Sequence, residues 1–250
     1  MNPTPHLNHL DVRLDALDAS TSMGAAHGSH APRAILWDMD GTVIDTEPYW
    51  MEAERGLIES YGASWSEEQA FQLVGNALPV TGRMIKDQTG IPLTPNEIVD
   101  VLLEQVIEKL KQHVPWRPGA QELLLAAHEA GMPCALVTMS YQSFARVLVD
   151  ALPAGTFEVV VTGDMVSAGK PDPEAYVRAA AELGLRPDQC VAIEDSATGV
   201  RSAVAAGVPT LAVPHLVEIP QLDGLVVVPD LAAVSLDDLP RLAEQARATR

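Results

Sequence analysis

The chain has 250 residues, with 16 Lys plus Arg against 34 Asp plus Glu, a formal net charge of −18. That excess of acid repels nucleic acid and anionic membrane surfaces at long range, so neither is expected as a partner. Apolar residues make up 47 % and charged residues 20 %, which excludes a disordered chain, and with 4 % aromatics the core must rest on Ala, Val and Leu.

Residues 1–33 read as a flexible leader. Leu7, Leu10, Leu14 and Leu17 fit one short amphipathic helix, Ser20 to Pro32 is small and polar, and Met23 is an alternative start. The leader lacks an apolar signal-peptide core, and no apolar run approaches the ~18 residues that span a bilayer, so a cytoplasmic protein is expected. From Ala34 onward six short apolar runs stand out: 34–37, 134–137, 159–161, 191–193, 210–213 and 225–228. Runs this continuous suit strands buried on both faces, as in a parallel sheet. Helix-like segments lie between them (120–130, 141–152, 173–183 and 198–206), with Gly131, Gly184 and Gly207 at the expected C-terminal ends. The alternation predicts a doubly wound α/β fold.

One interval departs from it. Residues 47 to about 115 hold no strand-like run but four helical stretches, 49–61, 66–74, 80–89 and 95–112. An all-helical unit inserted after the first strand would overhang that strand's carboxyl end, where open α/β sheets place their sites. The two cysteines, Cys134 and Cys190, each enter an apolar run, which favours buried reduced thiols over a disulfide or a zinc site.

The first strand ends in Asp38-Met39-Asp40-Gly41-Thr42. Two carboxylates at i and i+2 leave a strand end on one side, and Gly41 lets the chain turn sharply. One can serve as nucleophile and the other as acid and base if a cation separates their charges; the alternative is an Asp-Gly turn with solvated acids. Another strand runs into Glu194-Asp195-Ser196, whose acids could share a hard cation with Asp38 and Asp40. An oxygen-only ligand set suits Mg²⁺; the alternative for Asp195 or Ser196 is to cap the next helix. Thr138 and Ser140 follow the second strand, where hydroxyls and N–H groups can hold phosphate oxygens, and Ser140 could instead be a cap. Lys170, between Gly169 and Pro171, could offer a fixed charge to a phosphate, although most lysines are simply solvated.

Taken together, Asp38-Met39-Asp40-Gly41-Thr42, Thr138, Lys170 and Glu194-Asp195 stand in the order seen in a known family. The chain resembles haloacid dehalogenase-superfamily phosphohydrolases of the branch that includes β-phosphoglucomutase and phosphoglycolate phosphatase, over residues 34 to about 230. The resemblance implies a Rossmann-like doubly wound parallel sheet core with an inserted all-helical cap: core at 34–47 and 116–235, cap at 48–115, and a C-terminal helix or tail at 236–250. It implies that Asp38 attacks phosphorus and forms an aspartyl-phosphate, while Asp40 protonates the leaving oxygen and then deprotonates water. Mg²⁺ would be held by Asp38, the Asp40 carbonyl and Asp195, with Glu194 direct or through water. Thr138, Ser140 and Lys170 would bind the phosphoryl oxygens. Dehalogenase relatives carry another residue at the position of Asp40, so Asp40 argues for phosphate chemistry.

The expected activity is hydrolysis of a small phosphomonoester, of sugar phosphate or phosphoglycolate type, by a monomer or weak dimer. A phosphosugar mutase is the alternative enzyme, and a catalytically inactive binding or regulatory protein is the alternative of another class. Within the cap, Arg83 and Lys86 are candidates for substrate contact, though their i, i+3 spacing also fits a solvated helix face. Trp116 and Arg117 are hinge candidates. His6, His9, His27 and His30 lie in the leader, and His113, His128 and His215 stand alone, so no metal role is assigned to histidine.

Overall fold

The computed structural model describes residues 31–74 and 76–249. The Leu7–Leu17 stripe, Met23, the four leader histidines and Gly75 lie outside the described residues.

Strands form where the continuous apolar runs stand: β1 (Ala34–Trp37), β2 (Cys134–Val137), β3 (Val159–Val161), β4 (Cys190–Glu194), β5 (Thr210–Ala212) and β6 (Leu225–Val227). All neighbours are parallel, in the order β3-β2-β1-β4-β5-β6. The helices are α1 (Glu47–Ser60), α2 (Glu67–Phe71), α3 (Leu78–Thr89), α4 (Pro95–Gln112), α5 (Ala120–Glu129), α6 (Gln142–Asp150), α7 (Glu174–Glu182), α8 (Ala197–Ala205) and α9 (Leu239–Ala248). Alternate residues of each central strand enter different layers. Ile35, Trp37, Leu136 and Ile193 join the apolar cluster of α5, α6 and α9, while Ala34, Leu36, Ala135 and Ala192 pack with α7 and α8. Burial on both faces is why these strands lack polar alternation. Because β1 has β2 on one side and β4 on the other, the chain leaves it toward opposite faces, and a crevice opens at its carboxyl end.

Helices α1 to α4 form the insert between β1 and β2. Its two connections to the core run side by side. Ile44 makes an antiparallel bridge to Trp116, the Asp45 N–H donates to the Pro115 carbonyl at 2.8 Å, and the Arg117 N–H donates to the Val43 carbonyl at 3.0 Å. Helix α4 has a local cause at its start: the Thr94 hydroxyl accepts from the Glu97 N–H, and the Glu97 carboxylate accepts from the Thr94 N–H at 2.7 Å. Its buried residues, Ile98, Val99, Leu102, Val106 and Leu110, repeat every three or four positions along one stripe. Ile98, Leu102, Val106 and Leu110 belong to the same apolar cluster as Ile35 and Trp37, so insert and sheet share one core.

Some boundaries differ from the sequence expectation. Helix α1 begins at Glu47 rather than Tyr49, since Pro48 is well placed in a first helical turn. The expected helix over 66–74 stops at Phe71, where the Asn76 amide donates to the Gln72 carbonyl at 2.8 Å and chain turns replace the ladder. Cys134 and Cys190 are buried and unpaired, and burial pushes both thiols up to about 12, which leaves them protonated at neutral pH.

Because Leu102 is fully buried in the shared core, Leu102→Ala is expected to cost about 2–5 kcal/mol of unfolding free energy. Urea denaturation measures this, and an unchanged midpoint would remove α4 from the core.

Candidate active site

Asp38 and Asp40 leave the carboxyl end of β1, the strand at the switch point. The Asp38 N–H donates to the Ile193 carbonyl at 3.0 Å, which continues the β1–β4 ladder and places Asp38 beside the end of β4. Gly41 follows with φ of 90°, and a Cβ there would fall 2.0 Å from Asp195 Oδ2. Only glycine lets the turn after Asp40 pass under the Asp195 carboxylate. The Thr42 hydroxyl donates to Asp195 Oδ1 at 3.2 Å, tying the two strand ends together.

The Asp40 carboxylate is surrounded by hydroxyls. Thr46 donates to Oδ1 at 2.6 Å, Ser140 donates to Oδ2 at 2.7 Å, and Thr138 reaches the same oxygen at 3.5 Å. Ser140 thus serves Asp40, while α6 begins after Tyr141 with no side-chain cap. Lys170, in the loop before α7, has a side chain only 4 % exposed. Its ammonium donates to Asp38 Oδ1 and Glu194 Oε1, each at 2.6 Å, and to the Val137 carbonyl at 2.9 Å. Tyr176 on α7 donates its hydroxyl to the same Glu194 oxygen at 2.8 Å, with the ammonium 5.2 Å from its ring centre. The other Glu194 oxygen accepts from the N–H groups of Asp195 and Ser196 and from the Ser196 hydroxyl. Ser196 also accepts from the Gly199 N–H at 3.0 Å, so it caps α8 as well. A Cβ at Gly199 would lie 1.9 Å from Glu194 Oε1, so this carboxylate occupies the space that glycine leaves.

Charges here are poorly compensated. Burial, then Glu194, pushes the Asp38 carboxyl up to about 7 despite Lys170. Burial, then Asp38 and Glu194, pushes Asp195 up to about 9. Asp40 is also raised by burial, with its hydroxyl partners pulling the other way. Burial disfavours the Lys170 charge, but Asp38 and Glu194 outweigh it and hold its pKa above the usual lysine value. Three buried carboxylates, Asp38, Glu194 and Asp195, present oxygen atoms within 4.8 Å of one another. A hard divalent cation fits this set, because it supplies the positive charge that one lysine does not and binds oxygen donors by preference. The Asp40 carboxylate is not part of that group.

Residues from four distant segments therefore meet: Asp38 and Asp40, Thr138 and Ser140, Lys170, and Glu194 with Asp195. Arg83 and Lys86 do not join them. Arg83 is exposed, and the Lys86 ammonium donates to the Ile91 carbonyl at 2.7 Å. Sequence reasoning left Thr42, Thr46, Tyr176, Gly199 and His215 without roles. His215, after β5, stands 3.1 Å from Asp45 at the connection to the insert. At the start of α1, burial, then Asp40 and Asp45, pushes Glu47 up to about 7. Two turns on, burial, then Glu47, pushes Glu54 up to about 8.

An acid pair at the end of β1, a buried lysine and a second acid pair at the end of β4 define a hydrolase-type site on a doubly wound sheet. Residues 35–213 match the model of the haloacid dehalogenase-like hydrolases, and the chain belongs to that family. It is 32 % identical over 180 residues to the phosphorylated carbohydrates phosphatase of Thermotoga maritima, covering 70 % of this chain and 82 % of that one. It is 31 % identical over 209 residues to hexitol phosphatase A of Escherichia coli, covering 83 % and 93 %. The crystal structure of CbbY from Rhodobacter sphaeroides in complex with phosphate superposes with a TM-score of 0.72 at 27 % identity, covering 83 % of this chain and 99 % of that one.

The raised carboxyls carry a sign. Asp38 and Asp195 bind protons more tightly folded than unfolded, so their contribution to stability is present below the ordinary value of 3.8 and is lost as pH rises toward about 7 and about 9. A divalent cation binds the ionised form and offsets that loss. Thermal denaturation with and without Mg²⁺ is expected to show a larger gain in Tm at about pH 8 than at about pH 5. Equal gains at both pH values would contradict this.

Proposed function

We propose that the protein is a Mg²⁺-dependent phosphatase of small phosphomonoesters, acting on a phosphorylated sugar or polyol in the cytoplasm. The observation that carries this reading is the 2.6 Å contact of buried Lys170 with Asp38, inside a ring of carboxylates from separate strands. The phosphatases named above, and the phosphate bound by CbbY, support the same reaction class. In this reading residues 48–115 act as a cap over the crevice, and the protein works as a monomer or weak dimer.

Asp38 attacks phosphorus with one carboxylate oxygen as the bond to the leaving oxygen breaks, giving an aspartyl-phosphate. Asp40 gives its proton to the departing alkoxide. It then takes a proton from water as that oxygen attacks phosphorus and releases Asp38 and inorganic phosphate. Burial keeps Asp40 above an ordinary carboxyl and suits it to hold that proton, while Thr46 and Ser140 fix its direction. In this reading Lys170 and Thr138 hold the transferring oxygens, while Ser140, whose hydroxyl is given to Asp40, acts through that carboxylate. When bound by Asp38, Glu194, Asp195 and the Asp40 carbonyl, Mg²⁺ would offset the charge of the acids and of the phosphate dianion. The binding-protein alternative is disfavoured, because every group that this chemistry needs is retained.

Phosphate release from a panel of sugar and polyol phosphates tests the reading. Activity is expected to vanish in excess EDTA and in Asp38→Asn; turnover that survives either would remove the mechanism. Lys170→Ala is expected to lower kcat/KM on the order of 100- to 1,000-fold, the usual cost of deleting one preorganised donor to a transferring group. Inorganic phosphate should accumulate from β-glucose 1-phosphate, whereas glucose 6-phosphate as the product would make the enzyme a mutase.

A further inference from the structure

The Lys170 ammonium has three N–H donors, and all three are engaged. Asp38 Oδ1 and Glu194 Oε1 accept at 2.6 Å each, and the Val137 carbonyl accepts at 2.9 Å. The ammonium therefore sits where the claims of two carboxylates balance, and one of them is the attacking group of the proposed reaction.

Glu194 is fully buried, and its two oxygens are held differently. Oε2 accepts from the Asp195 and Ser196 N–H groups and from the Ser196 hydroxyl, all at the end of its own strand. Oε1 accepts from Lys170 and from the Tyr176 hydroxyl at 2.8 Å. A rigid ring delivers that hydroxyl. Tyr176 is fully buried on α7, where Ala175, Tyr176, Ala179 and Ala180 share one cluster with Leu36, Ala135 and Ala192 of the sheet. Lys170 reaches the same oxygen along a flexible four-carbon stem. The chain between the two is fastened as well: the Asp172 N–H donates to the Gly169 carbonyl at 3.0 Å, and the Ser202 hydroxyl of α8 donates to the Asp172 carbonyl at 2.5 Å.

We infer that Tyr176 is a positioning residue for catalysis: its hydroxyl satisfies Glu194 Oε1 and so keeps the Lys170 ammonium within reach of Asp38 and of the phosphoryl group that Asp38 receives. A neutral donor on Oε1 weakens the claim of that oxygen on the ammonium. Without it, a buried carboxylate oxygen has the ammonium as its one donor and draws it toward β4, away from the transferring group. The ring adds a second constraint, with the ammonium 5.2 Å from its centre. This inference rests on the phosphatase reading and adds to it a residue that acts through Glu194 and Lys170.

Tyr176→Phe tests it, since the variant keeps the ring and its packing and removes only the hydroxyl. With full-length protein, saturating Mg²⁺ and p-nitrophenyl phosphate, kcat is expected to fall about ten-fold or more while KM stays within about two-fold, because a misplaced transition-state donor costs rate rather than ground-state binding. On a Lys170→Ala background the same substitution is expected to change kcat by less than about two-fold, because the group through which it acts is gone. Lys170→Met, similar in length and uncharged, provides that background if Lys170→Ala does not fold. A wild-type kcat in Tyr176→Phe, even with a lowered Tm, would make the tyrosine a packing residue and overturn the inference. An undiminished effect in the absence of Lys170 would overturn it too. Turnover by the wild type that is lost in Asp38→Asn separates the two claims. If it is present and Tyr176→Phe matches it, only the role of Tyr176 falls; if it is absent, the phosphatase reading and the inference fall together.

Discussion

The ammonium of Lys170, lodged between Asp38 and Glu194, is the interaction around which the rest of the site is arranged. It contacts β1 through Asp38, β2 through the Val137 carbonyl and β4 through Glu194, while its own loop leads into α7. A buried cluster of this kind is a poor source of net stability, because desolvating the ions offsets most of their attraction. Removing one member is another matter. An uncompensated buried charge costs about 3–5 kcal/mol, so the cluster demands that all its members be present together. Tyr176 belongs to this requirement: its hydroxyl completes Glu194, and its ring lies against the ammonium.

Charge is balanced only in part, and the imbalance is functional in its direction. Asp38, Asp40, Glu194 and Asp195 face a single lysine, and burial raises the carboxyls of Asp38, Asp40 and Asp195. A protein gains nothing in stability from such an arrangement. In the proposed reading it gains affinity for a divalent cation and, through that cation, for a phosphate dianion that the net charge of −18 would otherwise repel. Gly41 and Gly199 make the crowding possible. Each leaves the volume of a Cβ to a carboxylate, Asp195 in one case and Glu194 in the other.

The sheet and most of the site were legible in the sequence for one reason: both are written in local pattern. Continuous apolar runs marked all six strands because both faces of each central strand are covered, and acids directly after a run fall at a strand's carboxyl end. What escaped notice depends on distant pairing. Tyr176 is one aromatic residue in an Ala-rich helix, and nothing beside it reveals that Glu194 waits 18 positions away. His215 stood as an isolated histidine until the fold brought it to Asp45. Lys86 was a candidate for substrate contact, but the carbonyl of Ile91, five residues on, already holds its ammonium.

The position of Asp40 joins the two halves of the molecule. One of its oxygens is held by Thr46, which stands at the entry to α1, and the other by Ser140, which follows β2. The Gly41 N–H donates to the Ile44 carbonyl at 2.7 Å, and Ile44 in turn bridges Trp116, so the turn that carries Asp40 is tied to both connections of the insert. Farther out, Trp50 of α1 meets Phe144 of α6 edge to face at 5.7 Å between ring centres. The direction of the Asp40 carboxyl is therefore set jointly by the sheet and the insert, rather than by the loop on which it sits. In the proposed mechanism this side chain protonates one oxygen and later takes a proton from another, which needs a single fixed aim. Hydroxyls from two separate structural layers provide that aim, and a helical unit placed after the first strand is what brings the second layer within reach.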